Sequence, residues 1–186
     1  TGTIPAQISE GNLIGKALVP LEILTVLVIA ALVGVIFRSP VAPFVPLAGA
    51  GIAYVVAGHV LGWGAHALHI EIPNQLSPIM VVLILGVVTD YSIFTMTGMR
   101  DRLAAGEKRT AAFRHTSSRV IPLVIAAALT VAAGTVALVG ANVDFFRAVG
   151  PGMAVAVILA GLVSISFVPA LVAVLLISAL GLLGVT

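Results

Sequence analysis

Asp90 and Tyr91 stand side by side in GVVTDYSIF, residues 86–94, inside a run (79–99) that contains no other charge. A carboxylic acid and a phenol are side chains able to take up, release or pass on a proton. An Asp at the centre of a membrane helix costs about 2.5–3.5 kcal/mol on insertion scales, so it needs a partner or a function. Two readings follow. In one, the acid stays neutral and hydrogen-bonds neighbouring helices together. In the other, it loads and releases protons as the helices rearrange, in keeping with the tendency of intramembrane acids to face pathways.

Depth supplies a candidate neighbour. Thr130 is the midpoint of the apolar stretch 120–140, and Asp90 lies within one residue of the midpoint of its own. Ala126, Thr130 and Gly134 recur at i, i+4 and i+8, a small-residue stripe that permits close helix packing. That stripe predicts the Thr130 hydroxyl beside Asp90. The alternative is a hydroxyl bonded to the backbone of its own helix. Gly86 and Thr97 share the face of Asp90, whereas Tyr91, offset by one residue, points toward a different helix.

Other polar residues suggest less. Glu22 suits a helix end, where it snorkels or caps. His59, His66, His69 and Glu71 are zinc-capable types, but their spacing matches no strong metal motif, so no metal and no cofactor are expected. An intramembrane aspartyl protease needs a second catalytic Asp within a span. Asp144 is expected in a loop and Asp101 beyond a helix end, so no enzyme is expected.

The elements that must position these groups follow from composition. The 186 residues are 60% hydrophobic and 9% charged, with a mean hydropathy of +1.23. A soluble domain needs far more charge on its surface. Stretches at about 18–37, 41–63, 79–99, 120–140 and from 148 each reach the roughly 20 apolar residues that cross a bilayer. No alternation of the membrane-barrel kind is present. The fold class is therefore all-α, a polytopic membrane bundle of about five helices. The last stretch should end or kink at Pro169, giving a span of 148–169. There is no cysteine and hence no disulfide chemistry. The chain begins without Met or a charged leader and stops while still apolar, which suggests a piece of a longer protein.

Charge sets an expected orientation. With the N-terminus extracytoplasmic, the cytoplasmic segments hold Arg38, Arg100, Arg102, Lys108, Arg109, Arg114 and Arg119, leaving Lys16 and Arg147 outside. The C-terminus is then cytoplasmic, and Trp63 suits the outer interface. The basic loop RDRLAAGEKRTAAFRHTSSR, residues 100–119, reads as a short amphipathic helix on the inner face. It carries no nucleic-acid motif.

Taken together, GVVTDYSIF, MRDRLAAGE, SRVIPLVIAAALTVAAG and FFRAVGPGMAVAVILAGLVSISFVPALVAVL resemble the MmpL (mycobacterial membrane protein large) branch of the RND transporter superfamily. The resemblance covers nearly the whole chain and implies helices two to six of one permease half. By that likeness, residues 1–17, with TGTIPAQISE, are the end of an extracytoplasmic porter domain and its linker, and 18–186 are transmembrane. It also implies export of lipids or other hydrophobic molecules driven by the proton gradient across a bacterial plasma membrane. Asp90 and Tyr91 would form a relay facing an Asp-Tyr pair in the second half of the permease. The partners implied are that second half, the porter domains, substrate and protons. The TGMRDR segment departs from the usual end of the motif. Two other readings share this helical core: a sterol-sensing-like lipid-binding module, and a SecD/SecF-like translocation accessory with its own intramembrane Asp.

The charge distribution makes a direct prediction about topology. A cysteine placed at His66 is expected to react with a membrane-impermeant reagent added from outside, and one at Arg109 to be spared. Labelling at 109 instead would reverse the orientation.

Overall fold

The computed structural model describes residue 20, residues 22–69 and residues 76–181. Lys16, Glu71 and the expected porter-domain end at 1–17 lie outside the described residues. Those described form helices and connecting turns without a strand, as the all-α reading required. The helices are α1 (Glu22–Phe37), α2 (Phe44–Leu68), α3 (Leu76–Ala104), α4 (Arg109–Val136) and α5 (Asp144–Gly181). A 3₁₀ turn, Ala137–Gly140, continues α4.

The segment through Pro43 is one unit and the chain from Phe44 another. In the first, α1 is apolar but shorter than 18 residues as described. It ends at Arg38, whose φ of 48° is left-handed. The Ser39 N–H donates to the Gly34 carbonyl and the Arg38 N–H to the Val35 carbonyl, closing the last turn as a Schellman cap.

In the second unit, four helices are long and apolar enough to cross a membrane. With no water in hydrocarbon, each helix has to satisfy its own backbone. Buried hydroxyls follow the same rule: Ser92 donates to the Val88 carbonyl at 2.7 Å and Ser164 to the Ala160 carbonyl at 2.8 Å. α5 packs against α2, α3 and α4, so it is the centre of this unit. Small residues make that possible. A Cβ on Gly49 of α2 would lie 2.9 Å from Val88 and 3.3 Å from Val168, where α2, α3 and α5 meet. The Tyr54 hydroxyl and Ser77 hydroxyl, 2.9 Å apart, add a polar tie between α2 and α3.

Several sequence expectations change. The segment 100–119 is not a separate amphipathic helix: α3 runs on to Ala104, and α4 begins at Arg109. Gly106, with φ of 83°, makes the break. The Gly106 N–H donates to the Leu103 carbonyl and the Glu107 N–H to the Arg102 carbonyl, a second Schellman cap. Asp101 therefore belongs to the last turn of α3, and Asp144 opens α5 rather than lying in a loop. α5 also continues past Pro169 to Gly181, so it does not end at that proline. Proline inside a membrane helix is tolerated where neighbouring helices and hydroxyls serve the freed carbonyl.

The stripe Ala126, Thr130 and Gly134 is also placed differently from expectation. All three are exposed, and nothing lies within 4 Å of a Cβ added to Gly134. The buried line of α4 is Val124, Ala128 and Ala132. It meets α5 at Gly161, where an added Cβ would sit 3.1 Å from Ala128. The helix therefore turns a neighbouring small-residue line inward.

Two predictions follow from this packing. A Cβ on Gly150 would lie 2.5 Å from the Thr135 carbonyl oxygen and 3.0 Å from Leu138, and a backbone atom cannot step aside. Gly150→Ala should therefore destabilise the protein by about 1–3 kcal/mol. Gly134→Ala, facing open space, should leave the melting temperature unchanged or raised. Thermal unfolding in detergent that ranked the two variants the other way would refute this packing.

The second concerns the α3–α4 turn. Glu107 accepts from Arg102 Nη1 at 2.9 Å and pairs with His115 Nδ1 at 3.0 Å. The His115 contact, aided by the Arg102 charge, holds the Glu107 carboxyl below its usual pKa despite some opposing desolvation. A carboxylate whose folded pKa is depressed contributes stability above its unfolded value, and the contribution is lost as pH falls through the folded one. The melting temperature of wild type should exceed that of Glu107→Gln at neutral pH, with the gap closing on acidification through the carboxylate range. A gap that widens in acid would contradict the assignment.

Candidate functional site

Asp90 is the central residue of α3, with fourteen residues on either side in Leu76–Ala104. Its helix is held by one face. Ile84, Val88, Tyr91, Ser92, Thr95 and Met99 are buried, following the helical period. The opposite strip, Val82, Gly86, Asp90, Phe94 and Thr97, is exposed. Nothing lies within 4 Å of a Cβ added to Gly86, so the backbone one turn from the acid is open to close approach.

The acid and the phenol thus part company. Tyr91 is 7% exposed and belongs to the core of the bundle, while Asp90 looks out of it. This matches the expectation that a one-residue offset sends the two side chains to different neighbours. Among the described residues the Asp90 carboxyl has no hydrogen bond or ion pair. Thr130 does not serve it, because its hydroxyl donates to the Ala126 carbonyl at 2.8 Å on its own helix. Of the two readings left open for that hydroxyl, the structure takes the local one. Asp90 and Thr130 have in common that both are mid-helix polar residues on exposed faces.

Sequence reasoning passed over Thr89 and Thr95. Thr89, beside the acid, is 6% exposed and its buried hydroxyl oxygen has no partner among the described residues. Thr95 is 4% exposed and donates to the Tyr91 carbonyl at 2.9 Å, one turn along α3. In an apolar span such hydroxyls carry no charge to advertise them. Thr95 stands four residues after Tyr91, the spacing at which a hydroxyl reaches back along its own helix, and that spacing was the available signal.

His59 Nδ1 lies 2.8 Å from the Val55 carbonyl oxygen of its own helix. No group of three metal-ligating side chains is present among the described residues. What the site can do chemically is hold, release or share a proton at one carboxyl, in a setting where charge is expensive.

Comparison with known proteins bears on the chain as a whole. The profile described as MMPL family matches residues 1–181. The chain is 30% identical over 170 residues to the apo-petrobactin exporter of Bacillus anthracis, covering 91% of this chain and 23% of that protein. It is 29% identical over 151 residues to a Mycobacterium tuberculosis protein named "Probable transport protein MmpL12", covering 81% of this chain and 13% of the relative. It is 24% identical over 155 residues to a Mycobacterium leprae protein named "Probable transport protein MmpL10", covering 81% of this chain and 15% of that protein. The chain thus spans less than a quarter of the length of these relatives. No solved structure matches it. A profile match across 181 residues, apolar helices of spanning length and transport-named relatives converge on one conclusion: the chain belongs to the MMPL family of membrane proteins.

Proposed function

We propose that this chain is part of the membrane domain of a proton-driven exporter of the RND/MmpL type, and that Asp90 is a proton-carrying acid of that machine. The observation that carries the reading is the position of Asp90, at the middle of a 29-residue apolar helix and on its exposed face. A carboxyl at that depth is expensive against lipid. The economical arrangement has this strip of α3 face the second half of the permease, which supplies its polar partners. Gly86 and the small residues of α4 leave room for such a face to approach closely.

Tyr91 has a supporting role in this scheme, as a hydroxyl beside the acid on the bundle side. Thr130 stays with the relay as a mid-depth hydroxyl whose oxygen still accepts, although its hydrogen is committed to Ala126. Burial in hydrocarbon favours the neutral acid, and contact with water or a positive partner favours the carboxylate. Movement of one half against the other therefore switches the affinity of Asp90 for protons. The substrate class in this reading is a lipid or another hydrophobic molecule, selected by porter domains. The membrane is the bacterial plasma membrane, with the 105–108 turn on the cytoplasmic side by the distribution of basic residues.

Asp90→Asn keeps size and hydrogen bonding while removing the titration. In the full-length protein it should preserve expression, melting temperature and substrate binding, and reduce proton-driven export to the level of an empty control. Tyr91→Phe should weaken export less, since it removes one hydroxyl and no titrating acid. Wild-type export by a well-expressed Asp90→Asn protein would end the relay reading in favour of a neutral hydrogen-bonding role.

A further inference from the structure

Residues 100–119 hold six Lys and Arg side chains and two acids. One of the acids is engaged on both oxygens: Glu107 accepts from Arg102 Nη1 at 2.9 Å and pairs with His115 Nδ1 at 3.0 Å. Lys108, Arg114 and Arg119 are exposed, and among the described residues they form no ion pair with Asp101 or any other acid. The described acids thus leave three cations unmatched at this end of the helical unit.

The packing of α3 on α4 sets the depth of that charge. A Cβ on Gly98 would lie 2.9 Å from Thr116 Cγ2, so those two residues share a level. Thr95, three residues deeper on α3, borders one small cavity together with Ser117, Val120 and Ile121, which extends the same register. Arg119 is then level with Thr95, about 6 Å inside Met99, the last residue of the uncharged run 79–99. Arg114 is level with Arg100, just beyond that run. The two arginines bracket the boundary between hydrocarbon and headgroups. Side chains lean toward the N-terminus of their helix, and the N-terminus of α4 is at the turn. Both therefore reach toward the headgroups, the direction in which long cationic side chains snorkel.

Charge so near hydrocarbon is costly unless it is paired. The anions that occupy this level are lipid phosphates, and a guanidinium presents a planar fork of donors that fits them. We propose that this rim binds the headgroups of anionic phospholipids. Arg119 holds a phosphate at the hydrocarbon edge, Arg114 holds another more than a turn nearer the water, and Lys108 adds attraction from the turn. A zwitterionic lipid brings a cation of its own, whereas a net negative headgroup also answers the surplus charge of the rim, so the rim selects the second. The Arg102–Glu107–His115 cluster keeps the acid of the turn engaged, which limits its repulsion of such lipids. Lipid binding of this kind is independent of the transport reading above.

Native mass spectrometry of the full-length protein, released from micelles holding equal amounts of phosphatidylglycerol and phosphatidylcholine with the same acyl chains, reads the preference directly. Wild type should retain phosphatidylglycerol in several-fold excess. A basic residue beside anionic lipid gains about fivefold in affinity, so Arg119→Gln should cut the excess by a comparable factor. Arg114→Gln, fully outside the uncharged run, should act likewise and serves if Arg119→Gln does not fold. Arg147→Gln removes the same charge from the opposite end of the unit, in the first turn of α5, and should leave the excess unchanged. No excess in wild type, an excess unchanged in the folded rim variants, or one lowered equally by Arg147→Gln overturns the site. Thermal unfolding in detergent at constant ionic strength separates the two sources of phosphate. Added phosphatidylglycerol should raise the melting temperature of wild type more than that of Arg119→Gln or Arg114→Gln, and inorganic phosphate should not. The same rise with inorganic phosphate alone would make the rim a site for a soluble anion and overturn the lipid assignment.

Discussion

A carboxylic acid at mid-depth in an apolar helix either gives up its charge or finds polar company, and α3 offers Asp90 little of either on its own unit. The buried face of the helix is committed to Ile84, Val88, Tyr91 and Met99, so the acid is turned outward by the same packing that holds the helix in place. Rotating α3 to bury Asp90 would carry Val88 and Tyr91 out of the core. Each fully buried side chain of that kind is worth about 1.5–3 kcal/mol. Packing and polarity therefore pull against each other at Asp90.

The rest of the helical unit shows how thoroughly polar groups are served when they can be. Ser92, Thr95, Thr130 and Ser164 all donate to carbonyls one turn back along their own helices. Helix ends close with left-handed residues at Arg38 and Gly106, so the carbonyls at these termini are not abandoned. Against that background, Asp90, the buried Thr89 and Thr116 hydroxyls and the carbonyl released by Pro169 stand out.

Close approach is the other constraint. Gly49, Gly150, Gly152 and Gly161 sit where neighbouring side chains or backbone leave little room for a methyl group. α5 uses these points to lie against α2, α3 and α4 at once. Between helices in lipid the hydrophobic effect supplies little drive, and such contact surfaces carry the association. Gly86 and Gly134 are different, because their surroundings within the chain are open. Small residues thus mark two kinds of surface, one already packed and one on the exposed faces of α3 and α4.

Much of this was legible in the amino-acid order alone. Runs of apolar residues longer than a bilayer core, without barrel-like alternation, can only be helices, and the depth of Asp90 follows from counting along its run. The one-residue offset that separates Tyr91 from Asp90 is likewise a property of helical geometry. Gly106 is a readable stop signal between two basic segments. What the order of residues could not determine was which face of each helix turns inward. In α4 the lines Val124–Ala128–Ala132 and Ala126–Thr130–Gly134 are both small and nearly apolar. A helix hydrophobic all round has no polar face to orient it. Only contact with Gly161 and its neighbours on α5, a matter of shape between elements far apart in the chain, chose the first line and left Thr130 outside.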